Sequence, residues 1–187
     1  WNPLVPERVY TELTAPFRDA YAETLDDIGT LYFTKEIFDN SYPGYGSTYP
    51  NMQGGLGFVF EQASARGHIQ QSNSRLVTFP YTIRNQLRTS MATVETVIDQ
   101  REPLLLHQRD FFTSALTEAA DFPVSAYVFG DADNPARTRS FLDLLLRHQI
   151  DVYGLNREVE YEGTTFSPGS AYVVPARQAQ YRMVRTM

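Results

Sequence analysis

Apolar residues recur at spacings of three and four from Pro6 to Ile28, which is the period of one face of a helix. The positions on this face are Val9, Leu13, Phe17, Tyr21, Leu25 and Ile28. Pro16 lies inside the pattern and should kink the helix or split it in two. Gly29 predicts the end of the helix, since glycine readily takes the left-handed conformation found there.

A second helical pattern runs from Ile83 to about Ala120, with a break expected at Pro103. One stripe of this pattern consists of Leu87, Met91, Val94 and Ile98. The stripe predicts a long helix that packs through its apolar face and leads into a second helix.

Between these helical regions, the stretch from Asn40 to Gly57 is rich in glycine and proline and predicts a loop. Leu56 to Phe60 then forms a short apolar run that predicts a strand, and this strand would end at the carboxylate of Glu61. Ionisable groups that follow a strand at the edge of a loop are frequent sites of chemistry.

A change of composition at Asp121 to Pro123 introduces a different pattern. Strands are expected near residues 124–129 and 150–154, with an amphipathic helix between them that Asn134 caps. This is a β-α-β unit, with a right-handed crossover if the two strands are parallel neighbours. Turns at Glu162-Gly163 and Pro168-Gly169 predict a hairpin or two short strands, and the last ten residues predict a short final helix.

Charge and composition narrow the possible partners. The chain of 187 residues carries 16 basic and 22 acidic residues, and it has no basic stripe to neutralise a phosphate backbone. Nucleic acid is therefore not an expected partner. Apolar runs are far shorter than the ~20 residues that cross a bilayer, so no membrane span is expected. The absence of cysteine excludes disulfides, thiol nucleophiles and thiolate metal sites.

Glu61 is the first candidate for chemistry, because an apolar run precedes it and small residues follow it. Partial desolvation would raise the pKa of its carboxyl group and suit it to general-base catalysis. The alternative is a structural ion pair between Glu61 and Arg66 or Arg84, and the pattern by itself leaves both possibilities open.

The run YPGYGSTYPNMQGGLGFVFEQASARGH, residues 42–68, resembles a segment of bacterial zinc carboxypeptidase-like proteins, relatives of carboxypeptidase A. In that family a loop rich in glycine and tyrosine leads to a strand that ends in the catalytic glutamate. NPLVPE and TFPYTIRNQ, on either side, are also similar to this subgroup, and residues 124–187 resemble the small α/β extension that often follows its peptidase domain.

The resemblance implies an α/β fold: residues 1–121 form the C-terminal part of a carboxypeptidase-like mixed sheet with helices, and residues 122–187 form the extension. It implies that Glu61 activates a zinc-bound water, whose pKa the metal lowers towards ~7, and later protonates the leaving amine. Tyr45 would close over the carboxylate of a peptide substrate, with Tyr42 and Tyr49 as rivals. Arg66 is assigned to substrate binding by its closeness in sequence to Glu61.

The metal ligands are the chief departure from the family pattern. Family members bind zinc through an HxxE pair and a later histidine, all upstream of the tyrosine loop. The histidines of this chain are His68, His107 and His148, and none has such a position. His107 and Asp110 have an HxxD spacing, but a solvated helical pair fits them better than a metal site, since a third ligand is missing.

The resemblance therefore implies the C-terminal portion of a zinc metallocarboxypeptidase, with ligands from upstream sequence and no zinc bound by this segment alone. Two alternatives remain: a non-catalytic interaction or structural module, and a zinc amidase of the same fold acting on peptidoglycan. The resemblance implies a periplasmic or secreted location.

Overall fold

A computed structural model describes residues 1–33 and 40–187. The regular secondary structure of the described residues consists of helices and small antiparallel sheets, in agreement with the α/β class in its broad sense. The chain divides into two compact units, Trp1–Gln108 and Arg109–Met187. The expected domain boundary at residue 121 stays a prediction, because compactness does not test which segment folds independently.

The first unit contains a π-helical segment (Val9–Leu13), α1 (Ala15–Asp27), a short 3₁₀ helix (Pro50–Gln53), β1 (Ile69–Gln71), β2 (Leu76–Thr78), α2 (Phe79–Asp99) and the start of α3 (Arg101–Ala120). The predicted split of the first helix is confirmed: it occurs at Thr14, and Pro16 lies in the first turn of α1, where proline is tolerated. Gly29 follows the helix end with φ of +64°, as predicted.

The break between α2 and α3 falls at Gln100, three residues before the expected position. Pro103 lies instead in the first turn of α3, where its missing N–H would have had no partner within the helix. Thr78 caps the start of α2, since its hydroxyl accepts a hydrogen bond from the N–H of Tyr81.

The direction in which α2 packs differs from the prediction. The face that packs against α1 is polar or small and consists of Thr82, Asn85, Thr89, Ala92 and Thr96. Their small side chains let the helices approach closely, and hydroxyls such as that of Thr96 bond back to a carbonyl of α2. The apolar stripe formed by Leu87, Met91, Val94 and Ile98 is 49–57% exposed.

No strand forms at residues 56–60, so that prediction is wrong. A strand needs a partner strand to complete its backbone hydrogen bonds, and no strand among the described residues pairs with this segment. Side chains hold it instead: the Phe58 ring lies 4.9 Å from the Phe17 ring, and the Phe60 ring lies 4.8 Å from the Tyr21 ring. The hairpin of β1 and β2 was not predicted, since its strands are only three residues long.

The second unit contains the rest of α3 and then β3 (Ala126–Gly130), α4 (Pro135–Arg147), β4 (Tyr153–Gly154), β5 (Val159–Tyr161), β6 (Thr164–Phe166), β7 (Ala171–Pro175) and α5 (Tyr181–Val184). The strand, helix and strand predicted from residue 124 are confirmed, and Asn134 caps α4. The two strands are parallel but not neighbours, because β7 lies between them and pairs antiparallel with both.

The predicted hairpin and final helix are present. Strands β5 and β6 pair across a two-residue turn in which Glu162 and Gly163 both have positive φ, the requirement of a type I′ turn. Among the described residues, no helix combines the length and the apolar character needed to cross a membrane.

Arg182, on α5, is buried in the second unit. Its guanidinium group donates to the carbonyl oxygen of Phe111, to the Ser114 hydroxyl at 3.0 Å and to the Glu118 carboxylate. It also lies 4.5 Å from the centre of the Phe111 ring. Arg182 thereby ties α5 to α3.

Arg182→Met should lower the free energy of unfolding by about 1–3 kcal/mol, because it leaves the buried carbonyl of Phe111 without this donor. Glu118→Gln should cost less, about 1 kcal/mol or below, since the Glu118 side chain is half exposed. Urea unfolding measures both, with the exposed Arg147→Met as the matched control. Equal stability of Arg182→Met and Arg147→Met would show that the buried contacts contribute nothing.

Candidate functional site

The tyrosine loop, residues 42–49, and the glutamate segment, residues 56–61, are packed against each other. The buried side chain of Asn51 accepts a hydrogen bond from the backbone N–H of Gly57 at 2.9 Å. Gly57 also lies directly on the backbone of Ser47, so close that a Cβ added to it would be 1.8 Å from the Ser47 carbonyl oxygen. Only glycine permits this approach, which fixes the loop beside the glutamate segment.

The loop tyrosines lie at the surface. Tyr42 and Tyr45 are 59% and 47% exposed, and their rings meet edge to face with centres 5.3 Å apart. Tyr49 is less exposed and precedes the 3₁₀ helix. Gly44 lies under the Tyr42 ring, where an added Cβ would be 2.4 Å from a ring carbon. The loop thus presents an aromatic pair to solvent.

Glu61 itself is exposed, so the expected partial desolvation of its carboxylate is wrong. The two neighbours of Glu61 in the chain are held by α2: Asn85 donates to the side-chain carbonyl of Gln62 at 3.1 Å, and Gln86 donates to the backbone carbonyl of Phe60 at 3.4 Å. In the described part of the chain, neither Arg66 nor Arg84 forms an ion pair with Glu61. Glu61 thus lies between two residues that α2 holds, and its carboxylate has no ion-pair partner among the described residues.

Arg66 and His68 lie on one wall of an open groove of about 700 Å³, and Phe79, Ile83 and Leu87 of α2 form the other. The His68 ring meets the Phe79 ring edge to face at 5.5 Å. The groove wall begins at Gln62, one residue after Glu61. Arg66 therefore borders a groove next to Glu61, and its role in substrate binding stays a prediction.

The remaining histidines are well separated from this site in the sequence. His107 is buried on α3, and Asp110 is half exposed and paired with Arg109 at 2.7 Å. His148 follows the last turn of α4. Within residues 1–33 and 40–187, no group of three or more histidine or carboxylate side chains is placed to hold a metal ion.

Tyr81 was not singled out from the sequence, yet it has an unusual environment. Arg75 donates to its hydroxyl oxygen at 3.0 Å, and the guanidinium carbons of Arg75 and Arg84 lie 5.2 and 5.1 Å from the centre of its ring. Burial opposes ionisation of the phenol, but hydrogen bonding with Thr30 and Asn85 and the charge of Arg75 outweigh it and lower the Tyr81 pKa. No local sequence pattern marks this cluster.

Comparison of the chain with family models, with curated proteins and with solved structures found no match.

Proposed function

We propose that this chain is the C-terminal portion of a zinc carboxypeptidase-like enzyme that hydrolyses peptide bonds at substrate C-termini, with metal ligands in upstream sequence of the same polypeptide. The observation that carries the proposal is the contact between the tyrosine loop and the glutamate segment through Asn51, Gly57 and Ser47. This contact keeps the segment that carries Glu61 beside a loop whose aromatic side chains are exposed.

In this proposal Glu61 takes a proton from the attacking water and later gives it to the leaving amine. The Glu61 side chain is exposed, and no described residue forms an ion pair with it, which is compatible with its acceptance of that proton. Tyr45, or its neighbour Tyr42, contacts the substrate carboxylate, and Arg66 supplies a positive charge at the groove.

The apolar face of α2 also supports the proposal. Helices of globular proteins normally turn their apolar stripe towards a core, whereas here the stripe faces outward and the polar face packs on α1. An apolar helix face of this length fits a further layer of structure. The upstream half of a peptidase domain would supply that layer.

The same face favours a second candidate, an interaction or structural module in which a different protein covers α2. A zinc amidase of the same fold, acting on peptidoglycan, would use Glu61 in the same way and differ in the amide that it cleaves. The two hydrolase candidates share the chemistry, while the module requires neither zinc nor Glu61.

Zinc titration by calorimetry separates these candidates. Residues 1–187 alone should bind zinc no more tightly than a surface poor in histidine, whereas the polypeptide extended upstream should bind one zinc ion stoichiometrically. The extended protein should release C-terminal residues from peptides. Hydrolysis of peptidoglycan fragments but not of peptides would support the amidase. If the extended protein neither binds zinc nor hydrolyses either substrate, the interaction module is the candidate that remains.

A further inference from the structure

Two arginines share one aromatic ring at the start of α2. The guanidinium carbons of Arg75 and Arg84 both lie close to the ring of Tyr81, at 5.2 and 5.1 Å from its centre. The two positive charges are therefore no more than about 10 Å apart, a distance at which they repel each other.

The partners of these arginines are neutral oxygen atoms. Arg75 donates to the Tyr81 hydroxyl, and Arg84 donates to the Thr30 hydroxyl at 3.1 Å and to the side-chain carbonyl of Asn85 at 3.4 Å. Across the described residues, no carboxylate forms an ion pair with either arginine. Among residues 1–33 and 40–187, the cluster therefore holds two positive charges and no paired carboxylate, although the whole chain has a net charge of -6.

The positions of the side chains are fixed from several directions. Arg75 precedes β2, Tyr81 lies in the first turn of α2, and Thr30 follows α1. The Thr30 hydroxyl donates to Asn85 at 3.0 Å, and Asn85 donates to Gln62 at 3.1 Å. Arginines held in this way lose less conformational entropy on binding a ligand than arginines that are free in solvent.

We propose that Arg75, Tyr81 and Arg84 form a binding site for an oxyanion, a carboxylate or a phosphate group of a small ligand. Each arginine retains N–H groups beyond those used in the hydrogen bonds above, and the planar guanidinium fork matches the two oxygens of a carboxylate or phosphate. The nearby N-terminus of α2 adds a favourable electrostatic field for an anion. The site does not depend on the proposed peptidase activity.

The ordinary alternative is that the arginines only pack on Tyr81 through cation-π contacts. Packing of this kind would stabilise the fold without binding an anion. The two interpretations differ in one measurable property: only a binding site gives saturable and selective shifts when an oxyanion is added.

We expect titration of the chain with sodium acetate, and separately with inorganic phosphate, to shift the side-chain Nε–H NMR signals of Arg75 and Arg84 along saturable curves. A reference titration uses sodium chloride at the same ionic strength in place of acetate or phosphate, and it should give no saturable shift. Arg75→Gln or Arg84→Gln should weaken binding about tenfold or more, because each removes a charge-assisted contact. Tighter binding of acetate would identify a carboxylate site, and tighter binding of phosphate a phosphate site.

Arg88→Gln is the matched control, since Arg88 is exposed one turn further along α2, and it should change the affinity less than about twofold. A second readout is the ionisation of Tyr81. It is measured as the difference in tyrosinate absorbance between the wild-type chain and the Tyr81→Phe variant during a pH titration. A bound anion should raise the lowered Tyr81 pKa. NMR shifts that rise linearly with anion concentration would overturn the proposal. Equal losses of anion affinity in the Arg88→Gln and Arg84→Gln variants would also overturn it.

Discussion

Glu61→Gln is expected to lower the rate of peptide release by the upstream-extended protein about a hundred- to ten-thousand-fold, the range that a general base contributes. The glutamine side chain keeps the shape of glutamate but cannot accept a proton from water. Since Glu61 is exposed and unpaired among the described residues, the substitution should leave the fold intact. Zinc affinity should also stay nearly unchanged, because Glu61 is not proposed as a ligand.

The measurement combines kcat for release of a C-terminal residue with zinc calorimetry and urea unfolding on the same preparations. Glu95→Gln serves as the control, because Glu95 is an exposed glutamate on α2 outside the groove. A Glu61 variant as active as wild type would remove Glu61 from the mechanism. Loss of zinc together with activity would instead give Glu61 a role as a ligand.

Gly57→Ala is expected to destabilise the first unit by about 3–5 kcal/mol, which is at the upper end for single substitutions. The added methyl group would lie 1.8 Å from the carbonyl oxygen of Ser47 and 2.9 Å from its Cα. Both atoms belong to the backbone, so no side-chain rotation relieves the clash. The tyrosine loop must move, which would also break the hydrogen bond from Gly57 to Asn51.

Gly46→Ala is a control from the same loop, since a Cβ added at Gly46 meets no atom within 4 Å. This variant should be as stable as wild type or more stable by about 0.4–1 kcal/mol, because alanine restricts the unfolded chain. Urea denaturation with both variants compares the midpoints and the slopes. Equal midpoints for Gly57→Ala and wild type would show that the loop and the glutamate segment are not held together as described.

The sequence determined the elements whose signals are local. Helical periodicity, Pro16 and Gly29 located the first helix and its break, and Asn134 located the start of α4. The Glu162-Gly163 pair located the hairpin turn, since both residues had to take positive φ. These features depend on residues close together in the chain, and so the pattern of the chain was sufficient.

Features that depend on distant partners were decided by tertiary structure. Residues 56–60 have the apolar composition of a strand, but their side chains pack on α1 and the described residues offer them no strand to pair with. The position of β7 between the two strands of the predicted β-α-β unit was likewise not visible in the sequence, since strand pairing joins segments that are far apart in the chain.

Some residues of the candidate site were also found from the sequence, whereas others were found only in the tertiary structure. The sequence pointed to Glu61, Tyr42, Tyr45 and Arg66 through a resemblance in one continuous segment. It missed the cluster of Arg75 and Arg84 around Tyr81, because side-chain geometry and the contact with Thr30 create that cluster. It also could not show which face of α2 is covered. Periodicity identifies an apolar stripe, but burial depends on what packs against it, and here small polar side chains allow α1 to approach the opposite face.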